Sequence, residues 1–73
     1  MTEATATTIA LQLLQDARLN KSKSQEFRGI LVKNQGTRYS ITFQGRTDSN
    51  LSTNAAEGLL VDTLMEVYNL MEL

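Results

Sequence analysis

Hydrophobic residues recur with helical spacing in two segments, one near each end of the chain. In the first, isoleucine, leucine and alanine fall three or four positions apart between residues 7 and 18, which puts them on one face of a helix. In the second, a broader stripe runs from 55 to 71 and covers roughly 200° of a helix at 100° per residue. The pattern predicts helices at 7–18 and 55–71, with residues 1–6 flexible.

Between these segments, apolar and polar positions alternate as they do in a half-buried strand. The segment 34–36, Asn-Gln-Gly, suits a three-residue turn with its glycine in the left-handed region. The pattern predicts a hairpin with strands at 26–33 and 37–45, in which Lys33 lies opposite Thr37. In this register five large residues face the core, namely Phe27, Leu31, Tyr39, Ile41 and Phe43.

The predicted fold is a single small α+β domain in the order helix, strand, strand, helix. An antiparallel hairpin is packed by the N- and C-terminal helices, and residues 46–54 form a loop. Asn54 and Glu57 resemble a capping box at the start of the last helix. A chain of 73 residues is near the size at which one core only just offsets chain entropy. With no cysteine or histidine to supply a disulfide or a zinc site, we expect dimerisation to complete the fold.

Gly58 conflicts locally with this prediction, because it lies inside the last helix. Glycine in a helix interior costs roughly 1 kcal/mol relative to alanine. Two interpretations stay open. Either Gly58 permits another helix or chain to approach closely, or the helix begins later than residue 55.

The second face of the predicted hairpin carries an apolar pair, Ile30 and Val32, between Arg28 and Arg38. One interpretation is that β-branched residues simply favour strand geometry on a solvated face. The other is a contact surface, since arginine around a small apolar patch is a usual interface composition. The hairpin edges also lack proline, so an edge is free to pair with a strand of another copy. We favour the interface.

The charges are distributed unevenly, although the net charge is only −1. All seven basic residues fall between positions 18 and 46, whereas the chain beyond them carries five acids and no base. Three interpretations compete: the two halves neutralise each other, the basic hairpin meets an acidic protein surface, or it binds nucleic acid. A pI of about 5.2 and the assignment of the hairpin aromatics to the core weigh against nucleic acid.

Little in the chain resembles a catalytic site. The absence of histidine and cysteine removes most nucleophile and base pairs. Ser22 lies between Lys21 and Lys23, but a lysine activates serine only when it is desolvated, and this segment reads as a solvated loop. Asp62 and Glu66 lie one helical turn apart and form a solvated acidic strip rather than a metal site. We expect no enzymatic activity, no cofactor and no metal.

The sequence therefore predicts a small non-enzymatic protein-binding module, such as a regulatory subunit, an adaptor or an inhibitor of a larger complex. It would act through the basic and apolar hairpin face and the acidic amphipathic last helix. The predicted partner-binding residues are Arg28, Ile30, Val32, Arg38, Asp62, Glu66 and Tyr68. The alternative is a nucleic-acid-binding module that uses the basic hairpin and the 20–24 loop.

The predicted partners are another protein, a second copy of the chain, or both. No apolar run approaches the ~20 residues that span a bilayer, and the first residues lack the basic charge of a signal peptide. We therefore expect a cytoplasmic protein with neither a membrane nor a small-molecule substrate among its partners.

Overall fold

The computed structural model describes residues 1–71, and of residues 70 and 71 only the backbone. Glu72, one of the acids counted above, lies outside the described residues. The elements are α1 Glu3–Leu19, β1 Ser24–Phe27, β2 Ile30–Gln35, β3 Arg38–Phe43, β4 Arg46–Leu51 and α2 Thr53–Met71. The predicted α+β class is confirmed. The order is α-β-β-β-β-α, however, and the sheet is an antiparallel meander of four strands, β1-β2-β3-β4, rather than one hairpin.

Two-residue turns join the strands at residues 28–29, 36–37 and 44–45. In the first and third turns both central residues have positive φ, from 49° to 84°. This is the type I′ conformation, whose twist matches that of the flanking strands. In the middle turn only Gly36 has positive φ, at 76°, as in type II′. The turns recur every eight residues, so each strand is short and enters the sheet at a fixed register.

The middle turn corrects the predicted register between β2 and β3. Val32 pairs with Ile41, where the prediction placed Gly29. The offset is an odd number of residues, and an odd offset exchanges the two faces of a strand. β2 therefore presents Ile30 and Val32 to the core and Leu31 to the outside.

The prediction that Ile30 and Val32 form an exposed patch is wrong, because both side chains are 0% exposed. The face assigned to β3 was right, since Tyr39 and Ile41 are buried. The error came from assuming a three-residue turn. Because the turn has two central residues, the other face of β2, which carries Ile30 and Val32, packs on the core. The inward face of β3 is the same as predicted.

Two further strands also differ from the prediction. The predicted strand 26–33 is interrupted by the turn at residues 28–29, so its first part is the separate edge strand β1. The predicted loop 46–54 contains β4. This strand was missed because nearly all of its residues are polar, so it shows no alternation of apolar and polar positions. A β-bulge interrupts the β3–β4 pairing beside Tyr39. Asn50, on the longer side of the bulge, has a left-handed φ of 58°.

Both helices begin earlier than predicted, because hydroxyl side chains cap them. The Thr2 hydroxyl accepts a hydrogen bond from the backbone N–H three residues on, at 3.2 Å. Residues 3–6, expected to be flexible, are therefore helical. The Ser52 hydroxyl accepts from the Ala55 N–H at 3.2 Å, so the predicted cap at Asn54 is wrong. Each hydroxyl satisfies an N–H that has no partner inside the helix.

The two helices form one layer on the inner face of the sheet, while the outer face is uncovered. α1 packs on β1 and β2, and α2 packs on β3 and β4. α1 ends and α2 begins at the same end of the sheet, so the helices run antiparallel. The fully buried residues Ala6, Ala10 and Ala17 let α1 lie close to its neighbours. α2 contacts both the sheet and α1, and this explains why its apolar arc is wider than packing on the sheet alone would need.

Gly58 lies in α2 and is exposed, and a Cβ atom built on it would meet nothing within 4 Å. The helix begins before residue 55, not later, so the late start considered from the sequence is excluded. No close approach within the described chain requires glycine at this position.

Deleting atoms on the two faces of β2 should distinguish the observed register from the predicted one. We expect Val32→Ala to lower the free energy of unfolding by about 2 kcal/mol, through lost burial and a residual cavity. Leu31→Ala removes more atoms from the outer face, yet should cost below about 1 kcal/mol. Urea unfolding followed by circular dichroism measures both changes. The reverse order of costs would restore the predicted register.

Replacing the helix glycine should stabilise the protein. We expect Gly58→Ala to raise the free energy of unfolding by about 0.5–1 kcal/mol, since alanine restricts the unfolded chain and fits the open helix surface. The same urea titration gives the value. A loss of stability would mean that another surface packs against this face of α2.

Candidate partner-binding surfaces

One end of the molecule collects five of the seven basic residues. It is built from the last turn of α1, the turn at residues 20–23 and the adjoining ends of β2 and β3. We call this surface the basic end, and its exposed side chains are Arg18, Lys21, Lys23, Lys33 and Arg38. These residues come from two stretches of the chain, 18–23 and 33–38, which the fold brings together.

Hydrogen bonds hold the turn before β1 against the sheet. The Lys23 carbonyl accepts from the Asn34 N–H at 2.8 Å. The Lys23 ammonium donates to the Arg18 carbonyl at 2.8 Å, which puts a positive charge at the negative end of the α1 dipole. The Asn20 side-chain amide donates to the Ser24 carbonyl at 2.8 Å. These hydrogen bonds fix the backbone of the turn that carries Lys21 and Lys23.

The outer face of the sheet adjoins the basic end and is rich in hydroxyl groups. Thr42 and Thr47 lie on neighbouring strands with their hydroxyl oxygens 2.9 Å apart. Leu31 lies in the same row, between Thr42 and Glu26. Lys33 pairs with a serine on each side. The surface is therefore polar and largely uncharged at its centre, with positive charge at one end.

Arg28 lies in the turn between β1 and β2, at the opposite end of the sheet from the basic end. Its guanidinium carbon is 5.2 Å from the ring centroid of Tyr68 and 5.7 Å from that of Phe27. Both distances are within the ~6 Å range of cation–π attraction. Arg28 therefore links this turn to the last turns of α2, and the fold brings two predicted site residues into contact.

Asp62 and Glu66 are exposed on α2, on the flank that also carries Leu59. Leu59 lines a shallow groove with Arg46 and Asp48 of β4. We call Asp62 and Glu66 the acidic flank, and it lies on the β4 side of the helix layer. Lys33 and Arg38 lie on the outer face, on the other side of the sheet, so the sheet separates these two residues from the acidic flank.

The structure divides the predicted partner-binding residues among four places. Ile30 and Val32 lie in the core, Arg28 and Tyr68 form a stack, Arg38 belongs to the basic end, and Asp62 and Glu66 form the acidic flank. Lys33 was not among the predicted partner-binding residues, and β4 was predicted to be a loop. Gly29, Gly36 and Gly45, which lie seven and nine residues apart, were the signal that could have revealed four strands.

A groove beside the basic end has a volume of about 160 Å³. Its lining residues are Leu11, Leu14, Gln15, Arg18, Tyr39 and Thr53. Leu11, at the rim of this groove, is 48% exposed. Small-molecule sites generally measure ~300–1,000 Å³. The groove has room for one apolar side chain of a partner next to the Arg18 guanidinium.

Among residues 1–71, no group of three acidic side chains could hold a metal ion. Within the same range, no helix is both long enough and apolar enough to cross a membrane. The buried side-chain nitrogen and oxygen atoms of these residues all have hydrogen-bond partners, so none marks a place prepared for a ligand.

Comparison with known proteins adds no relative. No protein-family model matches the chain, and no curated protein or solved structure is significantly similar to it. The fold and its surfaces define the class of protein directly: a small two-layer α+β domain with an open sheet face and a basic end.

The stack between Arg28 and Tyr68 should be measurable as a coupling energy. We expect a double-mutant cycle of Arg28→Gln and Tyr68→Leu to give about 0.5–1 kcal/mol of favourable coupling to stability. Glutamine is a matched replacement, since Gln44 occupies the equivalent position of the third turn with nearly the same φ. Urea unfolding of the four proteins gives the value. Additive effects would show that the ring and the guanidinium do not interact.

Proposed function

We propose that this chain is a small non-enzymatic binding module that engages an acidic surface of a partner protein through the basic end. A regulatory subunit, an adaptor and an inhibitor of a larger complex all fit this activity. The observation that carries the proposal is the meeting of five exposed basic side chains from separate parts of the chain. Such a concentration of one charge steers a partner of opposite charge and fixes its orientation.

The arrangement of the acids supports this proposal over internal neutralisation. Asp62 and Glu66 lie in the helix layer, whereas Lys33 and Arg38 lie on the outer face of the sheet. The sheet lies between these two pairs of charges, so they form no direct ion pair and salt screens the attraction that remains between them. Asp62 and Glu66 therefore leave the charge of Lys33 and Arg38 available to a partner.

The groove beside Arg18 supplies the apolar part of the proposed contact. Interfaces combine a small buried apolar centre with a polar rim. Leu11 lines the groove together with Arg18 of the basic end, so a partner bound at the basic end would also contact the groove. We propose that the partner inserts an apolar side chain here and places carboxylates against the basic residues.

We further propose that the module works as a homodimer in the cytoplasm. The chain is short, and its sheet has an exposed edge at β4. A second copy would add buried area to a core that is near the lower limit for a single domain. The cytoplasmic setting rests on the sequence argument alone.

The alternative function is nucleic-acid binding, and one observation favours it. The fold joins the turn containing Lys21 and Lys23 to the strand ends that carry Lys33 and Arg38, which makes a continuous basic surface. Against it, the one aromatic ring at this end, Tyr39, is buried rather than available to stack on bases. The acidic pI of about 5.2 also works against attraction to phosphate.

The two functions separate in an affinity purification from nuclease-treated extract of the native cell. We expect Lys33→Gln with Arg38→Gln to reduce the recovered partner about fivefold or more, since the exposed charges that guide association are lost. We also expect the wild-type complex to dissociate as salt rises. Quantitative mass spectrometry of the eluates gives the ratio.

A matched control changes the net charge equally but away from the basic end. Thr8→Glu with Gln44→Glu uses two exposed positions, on α1 and in the third turn, and should leave recovery unchanged. Equal loss in both variants would show that net charge alone matters. Gel shifts with labelled DNA and RNA oligonucleotides complete the test. Binding at low salt that weakens steeply as salt rises would replace the proposal with the nucleic-acid alternative.

A further inference from the structure

β4 is the exposed edge of the sheet. It pairs with β3 on one side, and no strand of the described chain lies on its other side. Residues 46–50 are all exposed, whereas three of the four residues of the other edge strand, β1, are partly buried. The unpaired backbone groups of such an edge are a template for an additional strand.

The hairpin geometry determines which backbone groups of β4 are free. Phe43 and Arg46 flank a two-residue turn, so they exchange both of their backbone hydrogen bonds. Bonding direction alternates along an antiparallel strand, so Asp48 also bonds to β3 and Thr47 directs its N–H and C=O away from β3. The side chains of Arg46 and Asp48 share the inner face of the sheet, opposite Phe43 and Ile41.

We propose that a second copy of this chain pairs antiparallel with β4, with the two Thr47 residues opposite each other on a two-fold axis. Arg46 of each copy then faces Asp48 of the other. These are positions without ladder hydrogen bonds, where facing side chains come closest. The segment Arg-Thr-Asp is thus self-complementary. The inference rests on the homodimer of the proposed function and assigns its surface and register.

Charge selects this register over its neighbours. Moving the axis by one residue toward the third turn would place Arg46 opposite Arg46 of the other copy. Moving it by one residue the other way would place Asp48 opposite Asp48. Like charges directly opposite each other destabilise a strand pair, and opposite charges stabilise it. Of these three registers, only the one centred on Thr47 pairs both charges favourably.

The bulge limits the length of this interface. Asn50 has left-handed φ, which ends the regular part of β4, so about five residues of each copy can join the new ladder. Stable interfaces usually bury ~1,200 Å² or more, and five residues a side bury less. We therefore expect a weak dimer that forms as concentration rises and dissociates as salt rises.

Charge reversal tests the pairing by sedimentation velocity from micromolar to millimolar concentration. We expect wild type to shift from its 8.1 kDa monomer toward a dimer over this range. Arg46→Asp and Asp48→Arg should each raise the dimer Kd about tenfold or more, because both cross-strand pairs become repulsive. Mixing the two variants should restore association as a heterodimer. The double variant R46D/D48R should dimerise like wild type.

The possible outcomes distinguish failure of the β4 pairing from failure of the homodimer proposal. A wild-type monomer throughout the range overturns both, and leaves the basic end untouched. A wild-type dimer that Arg46→Asp does not weaken overturns the β4 pairing and leaves a homodimer through another surface. Failure of the mixed variants to associate also overturns the register. Circular dichroism confirms that each variant is folded, as expected for substitutions at exposed positions.

A cysteine trap tests the register independently, because the chain has no cysteine of its own. Facing Cα atoms in a hydrogen-bonded pair are ~5.5 Å apart, which a disulfide spans. Thr47→Cys should therefore crosslink rapidly under mild oxidation. Ser49→Cys is the control, since in this register the two Ser49 residues lie roughly 13 Å apart. Equal crosslinking at both positions would overturn the register.

Discussion

The register of the sheet depends on three two-residue turns, and the rest of the molecule depends on that register. A turn with positive φ at its first or at both central residues admits one pairing of the strands it joins. Gly29, Gly36 and Gly45 supply the conformations that other residues adopt at a cost. A pairing displaced by one residue would bury Lys33 and expose Val32. The turns thereby decide which side chains meet the helices and which meet water.

The core that follows from this register is thin but closed on the helix side. Ile30, Val32 and Ile41 form the centre of the inner face. The buried alanines of α1 allow the first helix to lie close, and α2 uses its wide apolar arc against both α1 and the sheet. The helices cover one face only. The outer face, the basic end and the β4 edge are therefore surfaces on which a partner has access to the chain.

The proposed surfaces are compatible with one another in a single assembly. Pairing through β4 about a two-fold axis normal to the sheet would give a continuous sheet of eight strands, with all four helices on one side. Both outer faces would then lie on the other side, with the basic ends pointing in opposite directions. Such a dimer presents two basic ends to a partner, and linked sites gain avidity without new contacts. The acidic flanks would approach each other across the axis, and Arg46 of each copy would lie between them and offset part of their repulsion.

The sequence by itself determined the two helices, the α+β class and the inward face of β3, because periodic apolar positions report directly on local geometry. It also showed that positive charge is concentrated in the middle of the chain. It did not determine the number of strands, since β4 is polar and β1 is separated from β2 only by a turn lacking the usual Asn-Gly pair. Only the tertiary structure decided that Ile30 and Val32 are buried. The alternation along β2 does not show which of its two faces packs on the core, and the turn and the neighbouring strands select that face. The sequence joined the basic hairpin to the 20–24 loop only in the nucleic-acid alternative, because strand pairing, which no local pattern encodes, decides which of the basic residues meet at one end.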